Sequence, residues 1–94
     1  MTKREARYGF SSLLVDRRVL AYLGSESTPK VIAACLRTAF ERIRQKRLRM
    51  VRTERSGEFM TYACDHAIAA SVTSDGRTVV ILRVRYGPEP EGLL

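Results

Sequence analysis

Between Thr28 and Tyr86 the spacing of apolar side chains changes period, and that change limits the chain to a fold in which helix and sheet follow one another. Thr28 followed by Pro29 reads as a helix N-cap and a first-turn proline. Ile32, Leu36, Ala39, Phe40 and Ile43 then recur at offsets of four, seven, eight and eleven, the single apolar stripe of an amphipathic helix. Lys30, Arg37, Glu41, Arg44 and Gln45 take the other side. From Leu48 the period shortens toward two: Leu48 and Met50 alternate with Arg47 and Arg49, and Val51 interrupts the pattern as a bulge would. Ser56-Gly57-Glu58 reads as a turn. Phe59 to Cys64 and Ala67 to Thr73 read as strands, with Ile68, Ala70 and Val72 on one face and Asp65-His66 as a bulge or break between them. Ser74-Asp75-Gly76-Arg77 is the best hairpin turn, because Asp-Gly suits positive backbone angles. In the last strand, Thr78 to Tyr86, strict alternation puts Val80, Leu82, Val84 and Tyr86 on an inner face. The opposite face begins with Val79 and Ile81 and ends with Arg83 and Arg85.

Upstream, Ala6, Tyr8 and Phe10 would share one face of a short first strand. Ser11 or Ser12 offers the N-cap of a first helix reaching about Leu23, with Val15, Val19, Tyr22 and Leu23 inward and Gly24 as its stop. Two helices joined by so few residues form an antiparallel hairpin. The expected class is α+β, in the order β-α-α-β-β-β: a helical hairpin packed on a three- to four-stranded antiparallel sheet, which buries both apolar faces at once. Residues 1–87 are expected to form a single α+β domain. Gly87-Pro88-Glu89-Pro90-Glu91-Gly92 cannot continue a strand, so residues 88–94 are expected to be a flexible C-terminal tail. A chain of 94 residues builds one thin hydrophobic core, and a free edge strand makes a homodimer compatible with it.

Charge is the loudest compositional feature. Seventeen Lys and Arg stand against ten Asp and Glu, a net charge of +7, and fourteen of the seventeen are Arg. Arginine forks onto phosphate or carboxylate through two parallel hydrogen bonds where lysine offers a point charge. The cations cluster. Arg42, Arg44, Lys46, Arg47, Arg49, Arg52 and Arg55 fall within fourteen positions, with Glu54 as the single acid inside that run. Arg47 and Arg49 project from one strand, Arg83 and Arg85 from another, and neighbouring strands would merge them. The expected target-binding patch is Arg44, Lys46, Arg47, Arg49, Arg52, Arg83 and Arg85. A phosphate chain is its natural ligand, bound with steep salt dependence. An acidic partner protein and a plain solvated basic face are the alternatives. Tyr62 and Tyr86 are the only aromatic residues near it, too few to argue for base stacking.

Cys64-Asp65-His66 invites comparison with a catalytic triad, but adjacent strand residues point to opposite faces, and Cys64 and His66 would lie roughly 6.5–7 Å apart, beyond direct hydrogen bonding. The expectation is a buried thiol beside a half-exposed imidazole. Zinc would have to recruit Cys35, Cys64, His66 and a carboxylate from separate elements, without paired spacing. No phosphate-binding glycine loop, dinucleotide fingerprint or acidic magnesium cluster occurs, so neither a metal nor a cofactor is expected. No segment approaches the roughly 20 apolar residues of a membrane helix, and the charged start lacks a signal-peptide core. The expected compartment is the cytoplasm, where both cysteines would remain thiols.

Tyr22-Leu23-Gly-Ser-Glu-Ser-Thr-Pro29, running into Val31-Ile-Ala-Ala-Cys-Leu36 and Ala39-Phe-Glu-Arg-Ile43, resembles the helical hairpin of RelE/ParE-superfamily toxins. Thr78-Val-Val-Ile-Leu-Arg-Val-Arg-Tyr-Gly87 resembles their final strand, especially the ParE-like form, and the similarity spans roughly residues 6–88. The resemblance implies one of two activities. RelE-like members cut messenger RNA on the ribosome using basic residues of the sheet with a late arginine and tyrosine. Arg47, Arg49 and Arg52 fall on the corresponding early strand and Arg83 or Arg85 near the late arginine, while Tyr86 comes too early for the tyrosine. ParE-like members bind and poison DNA gyrase without a self-contained catalytic set. Both kinds are neutralised by an antitoxin. The sequence fits the second branch better. The implied function is a small toxin-like inhibitor of gyrase or of the ribosome and its mRNA, a binder rather than an enzyme, and a metal-independent ribonuclease if an enzyme. Two other functions suit the same residues: a phage or mobile-element inhibitor of anti-CRISPR or host-takeover type, acting by protein–protein binding, and a nucleic-acid-binding accessory protein.

Overall fold

The computed structural model describes residues 9–91. Two helices pack on one face of a five-stranded sheet: β1 (Ser12–Val15), α1 (Arg17–Gly24), α2 (Lys30–Arg44), β2 (Val51–Arg52), β3 (Glu58–Ala63), β4 (His66–Val72) and β5 (Thr78–Tyr86). The strand order is β1-β5-β4-β3-β2. The α+β class and the order β-α-α-β-β-β stand, but the sheet is wider than expected and mixed, because β1 pairs parallel with β5. Of the expected first strand, Ala6 and Tyr8 lie outside the described residues, while Phe10 is buried in the core. The helix expected from Ser11 or Ser12 starts later. Ser12–Val15 instead completes the sheet, setting Leu13 opposite Val79 and Val15 opposite Ile81. Asp16 then begins α1, its side chain accepting from the Arg18 amide at 2.8 Å.

α2 departs from expectation at its start and closes firmly at its end. Its first carbonyl acceptor is Pro29, bonded by the amides of Ile32 and Ala33. Thr28 is buried and its hydroxyl makes no hydrogen bond among the described residues, and α2 has no side-chain cap there. At the other end Arg47 donates to the Arg42 carbonyl and Lys46 to that of Ile43, the paired bonds that terminate a helix through a left-handed residue. That residue is Lys46, at φ 58°, where glycine is the usual choice. The expected stripe of Leu36, Ala39, Phe40 and Ile43 is buried, with Ile32 packed at its margin. It meets Val19 and Leu23 of α1 and Ile68, Ala70, Val79 and Ile81 of the sheet.

Strict alternation misassigned the upper half of the last strand. β5 pairs Ile81 with Ala70 and Arg83 with Ala69, which leaves Leu82 bulged out of register. One extra residue exchanges the faces. Val79 and Ile81 lie under the helices, and past the bulge Val84 and Tyr86 take over that side. Val80 and then Arg83 and Arg85 fall on the helix-free face. The β3–β4 connection is likewise tighter than expected: Ala63 pairs with His66, leaving a two-residue turn of Cys64 and Asp65, both at positive φ (57° and 59°). α2 passes over this turn, and Cys35 on its flank is joined to Cys64 by a disulfide with Cα atoms 6.1 Å apart. The expectation of two free thiols is therefore overturned. The expected half-exposed His66 is corrected too: it is 1% exposed beneath α1.

Candidate functional site

Among the described residues no helix covers the second face of the sheet, and that face is the candidate site. Its surface follows from register. One row across the strands runs Arg85, Ala67, Tyr62; the next runs Arg83, Ala69, Met60, Val51; a third joins Val80, Ser71 and Glu58. The central strand contributes two alanines between long neighbours, so the face is a shallow trough along β4, walled by Arg83 and Arg85 on one side and Met60 and Tyr62 on the other. Short side chains in the middle leave room for an elongated ligand, and guanidinium groups along one wall supply paired donors for phosphate or carboxylate.

Glu58 organises the arginines. It lies in the trough with its side chain 8% exposed, bonded to the Arg83 guanidinium at 2.5 Å and 3.9 Å from that of Arg55. Where β1 ends, a cleft of about 430 Å³ opens between this cluster and the start of α1, bringing Arg18 and Asp16 toward Arg55 and Arg83. The carboxylate of Glu58 fixes Arg83 while half of that arginine's side chain stays exposed. Arg85 has no carboxylate partner among the described salt bridges. At the far edge Arg49 borders a hollow of about 250 Å³ with Leu48, Val51, Thr61, Tyr62 and Glu89. Burial raises the Tyr62 hydroxyl above its ordinary pKa, and the negative charges of Asp65 and Glu89 add to the rise, with a further contribution from Tyr86.

The structure brings some of the expected patch to this face and places the rest elsewhere. Arg83 and Arg85 wall the trough, and Arg49 borders the hollow beyond Tyr62. Arg52 lies at the β2 edge, its guanidinium 5.9 Å over the Phe59 ring, and shares a hollow with Arg55 and Arg83. Arg47 is exposed between α2 and β2. Lys46 stands 4.8 Å over the Phe10 ring. Arg44 is bound to Glu41, to which its guanidinium donates at 2.6 Å, and also donates to the Phe10 carbonyl at 2.8 Å. This pairing lowers the Glu41 pKa and raises that of Arg44. The expected merger of Arg47 and Arg49 with Arg83 and Arg85 across adjacent strands does not occur, because β3 and β4 separate β2 from β5. Arg18, Arg55 and Glu58 were outside the expected set. Glu58, taken for a turn residue, begins β3, and its alternation with Met60 and Tyr62 is the signal that marks all three as one face.

His66 belongs to the other face. Its Nδ1 is 2.7 Å from the Cys64 carbonyl, which can only accept, so Nδ1 donates there, and Nε2 lies 2.7 Å from the Tyr22 hydroxyl. Tyr86 meets the ring edge-on at 5.4 Å. The imidazole is thus enclosed under α1 with both nitrogens engaged, and Cys64 is bonded to Cys35. Among the described residues no three His, Cys, Asp or Glu side chains are grouped to hold a metal ion, and no helix is long and apolar enough to cross a membrane.

A helical hairpin lies over a mixed sheet whose opposite face is edged by arginine. The chain shares its fold with a chain of the toxin–antitoxin complex RelBE2 from Mycobacterium tuberculosis, at 20% sequence identity and a TM-score of 0.60, over 86% of this chain and 94% of that one. No protein-family model matches the sequence, and no curated protein does.

Proposed function

We propose that this chain is a toxin-type module that binds a host nucleoprotein machine through its open sheet face and inhibits it. The observation carrying this reading is the trough over Ala67 and Ala69, with Arg83 and Arg85 along its wall and Arg55 beside Glu58 at one end. Guanidinium groups so arranged suit a phosphate backbone or an acidic protein strand better than a compact metabolite. The likeness in fold to a chain of a toxin–antitoxin complex supports the same class. It also supports an antitoxin as the natural counter-partner: an acidic segment lying along the trough would neutralise its arginines and block the target together. The cytoplasm is the compartment in which such a target would be met.

Within that class, the position of His66 favours a binder over a nuclease, and hence the ParE-like, gyrase-directed branch. The chain has one histidine, and it lies beneath α1, across the sheet from Arg83 and Arg85. Acid–base cleavage of RNA needs a titrating group within hydrogen-bond reach of the reacting oxygen, and Glu58 and Tyr62, the titrating side chains of the trough, are engaged by Arg83 and the Gly87 carbonyl. Induced expression in a bacterial host tests the proposal. Growth arrest is expected, with gyrase subunits recovered on the tagged protein. Ribosomal proteins in their place would move the reading to the RelE-like branch. Normal growth at a demonstrated level of folded protein would overturn the toxin reading.

A further inference from the structure

The chain's own acidic tail turns back beside the Met60 and Tyr62 wall of the trough. After β5 the backbone turns at Gly87, at φ 148°, a conformation that suits glycine. Two hydrogen bonds clamp that turn to the β3–β4 end of the sheet: the Gly87 amide donates to the Asp65 carbonyl at 3.0 Å, and the Tyr62 hydroxyl donates to the Gly87 carbonyl at 2.5 Å. Pro88-Glu89-Pro90-Glu91 continues from there. Glu89, exposed, forms part of the wall of the hollow bordered by Arg49 and Tyr62. Pro90, half-buried, forms part of the wall of the one bordered by Val51, Met60 and Arg83. Met60 and Arg83 flank Ala69, which is only 1% exposed although, among the described residues, no helix covers its face.

We infer that residues 88–91 form an autoinhibitory strap over the open face, competing with a phosphate-backbone ligand for the trough. The inference rests on the reading of that face as the target site and adds its regulation. Three features of the segment fit the role. Two prolines restrict its backbone and lower the entropy cost of lying extended on the sheet. Glu89 carries a charge opposite to that of Arg49, with which it lines one hollow. Pro90 supplies an apolar ring where Val51 and Met60 supply an apolar floor. A strap held by so few contacts opens readily. While it is closed, the apparent affinity for a ligand falls in proportion to the open fraction, so a strap closed about nine-tenths of the time weakens binding about tenfold.

The test uses the full chain and a short single-stranded RNA as the probe. Pro90→Gly removes the seated ring and leaves every charge in place, so any change in affinity comes from unseating and not from a different net charge. Binding is measured at fixed salt, and the methyl resonance of Met60 reports occupancy of the trough. The expectation is a shifted Met60 resonance together with binding severalfold to about tenfold tighter than the unaltered chain, a gain abolished when Arg85→Glu is added. Equal affinities beside a shifted Met60 resonance would overturn the inhibitory role. An unmoved Met60 resonance would overturn the seating itself. Failure of both chains to bind RNA while Met60 shifts would overturn the reading of the face as a phosphate site, and the strap's competition with it. That result is separable from the other two.

Discussion

Gly9 lies so close to the end of α2 that a Cβ at its position would stand 2.6 Å from the Arg44 carbonyl oxygen and 3.1 Å from the Gln45 Cα. Both obstacles are backbone, held by the bonds that close the helix, so neither can swing aside. Gly9→Ala is therefore expected to destabilise the protein by about 1–3 kcal/mol, the usual range for overpacking, read as a lower urea midpoint at unchanged slope. An unchanged midpoint would mean that this approach is not held in solution. The same junction contains the Glu41–Arg44 pair. Hydrogen bonds from Arg44 hold the Glu41 carboxyl below its ordinary pKa, with charge attraction adding to them and partial burial opposing. A carboxylate depressed on folding contributes stability that is present above its unfolded pKa and is lost as the pH falls through its folded one. Acidification below the ordinary carboxylate range should thus lower the urea midpoint, and Arg44→Ala should flatten that dependence. A variant with an undiminished pH dependence would remove the pair from the account.

At the scale of elements, the parts dictated by local periodicity were legible. The buried stripe of α2, the inward Val19 and Leu23 of α1, and strands β3 to β5 follow from spacing alone. What escaped was set by contacts distant in sequence. Ser12–Val15 is short and reads as the opening of a helix; only its parallel partner, Thr78–Ile81, makes it a strand. The bulge at Leu82 is invisible to alternation, and by exchanging faces it decides that Arg83 and Arg85 stand on the helix-free side. Likewise, the basic run from Arg42 to Arg55 was plain, but the helix end, the Phe10 ring and the strand order distribute it. Arg44 and Lys46 serve the α2 terminus, while Arg55 reaches Glu58 at the end of the trough and Arg49 the hollow beyond Tyr62. The disulfide was missed because the compartment argument says nothing about distance, and the α2 crossing over the Cys64-Asp65 turn supplies the distance. The bridge closes a loop of sequence separation 29. By loop-closure entropy, Cys35→Ala with Cys64→Ser should cost about 3–4 kcal/mol, compared under non-reducing conditions. If thiol alkylation of the unaltered, unreduced protein labels both cysteines, the bridge is absent in solution.

The whole molecule is two-sided. α1 and α2 bury one sheet face around Phe40, Leu36 and Ile43, and the protein's one histidine is enclosed there with its hydrogen bonds complete. The other face has no helix and collects arginines around a trough of alanines. The proposal of a toxin-type binder depends on that asymmetry, because the positive charge is not confined to the trough. Arg37, for example, stands exposed on α2. A general electrostatic effect would respond alike to charge lost anywhere. A docking face would not. The most direct measurement is therefore growth after induced expression of two variants with the same change in net charge, Arg85→Glu on the trough and Arg37→Glu on the helical side. The account predicts that Arg85→Glu relieves the arrest while Arg37→Glu arrests growth like the unaltered chain, at equal levels of folded protein. Equal relief by both, or relief by Arg37→Glu alone, would contradict it.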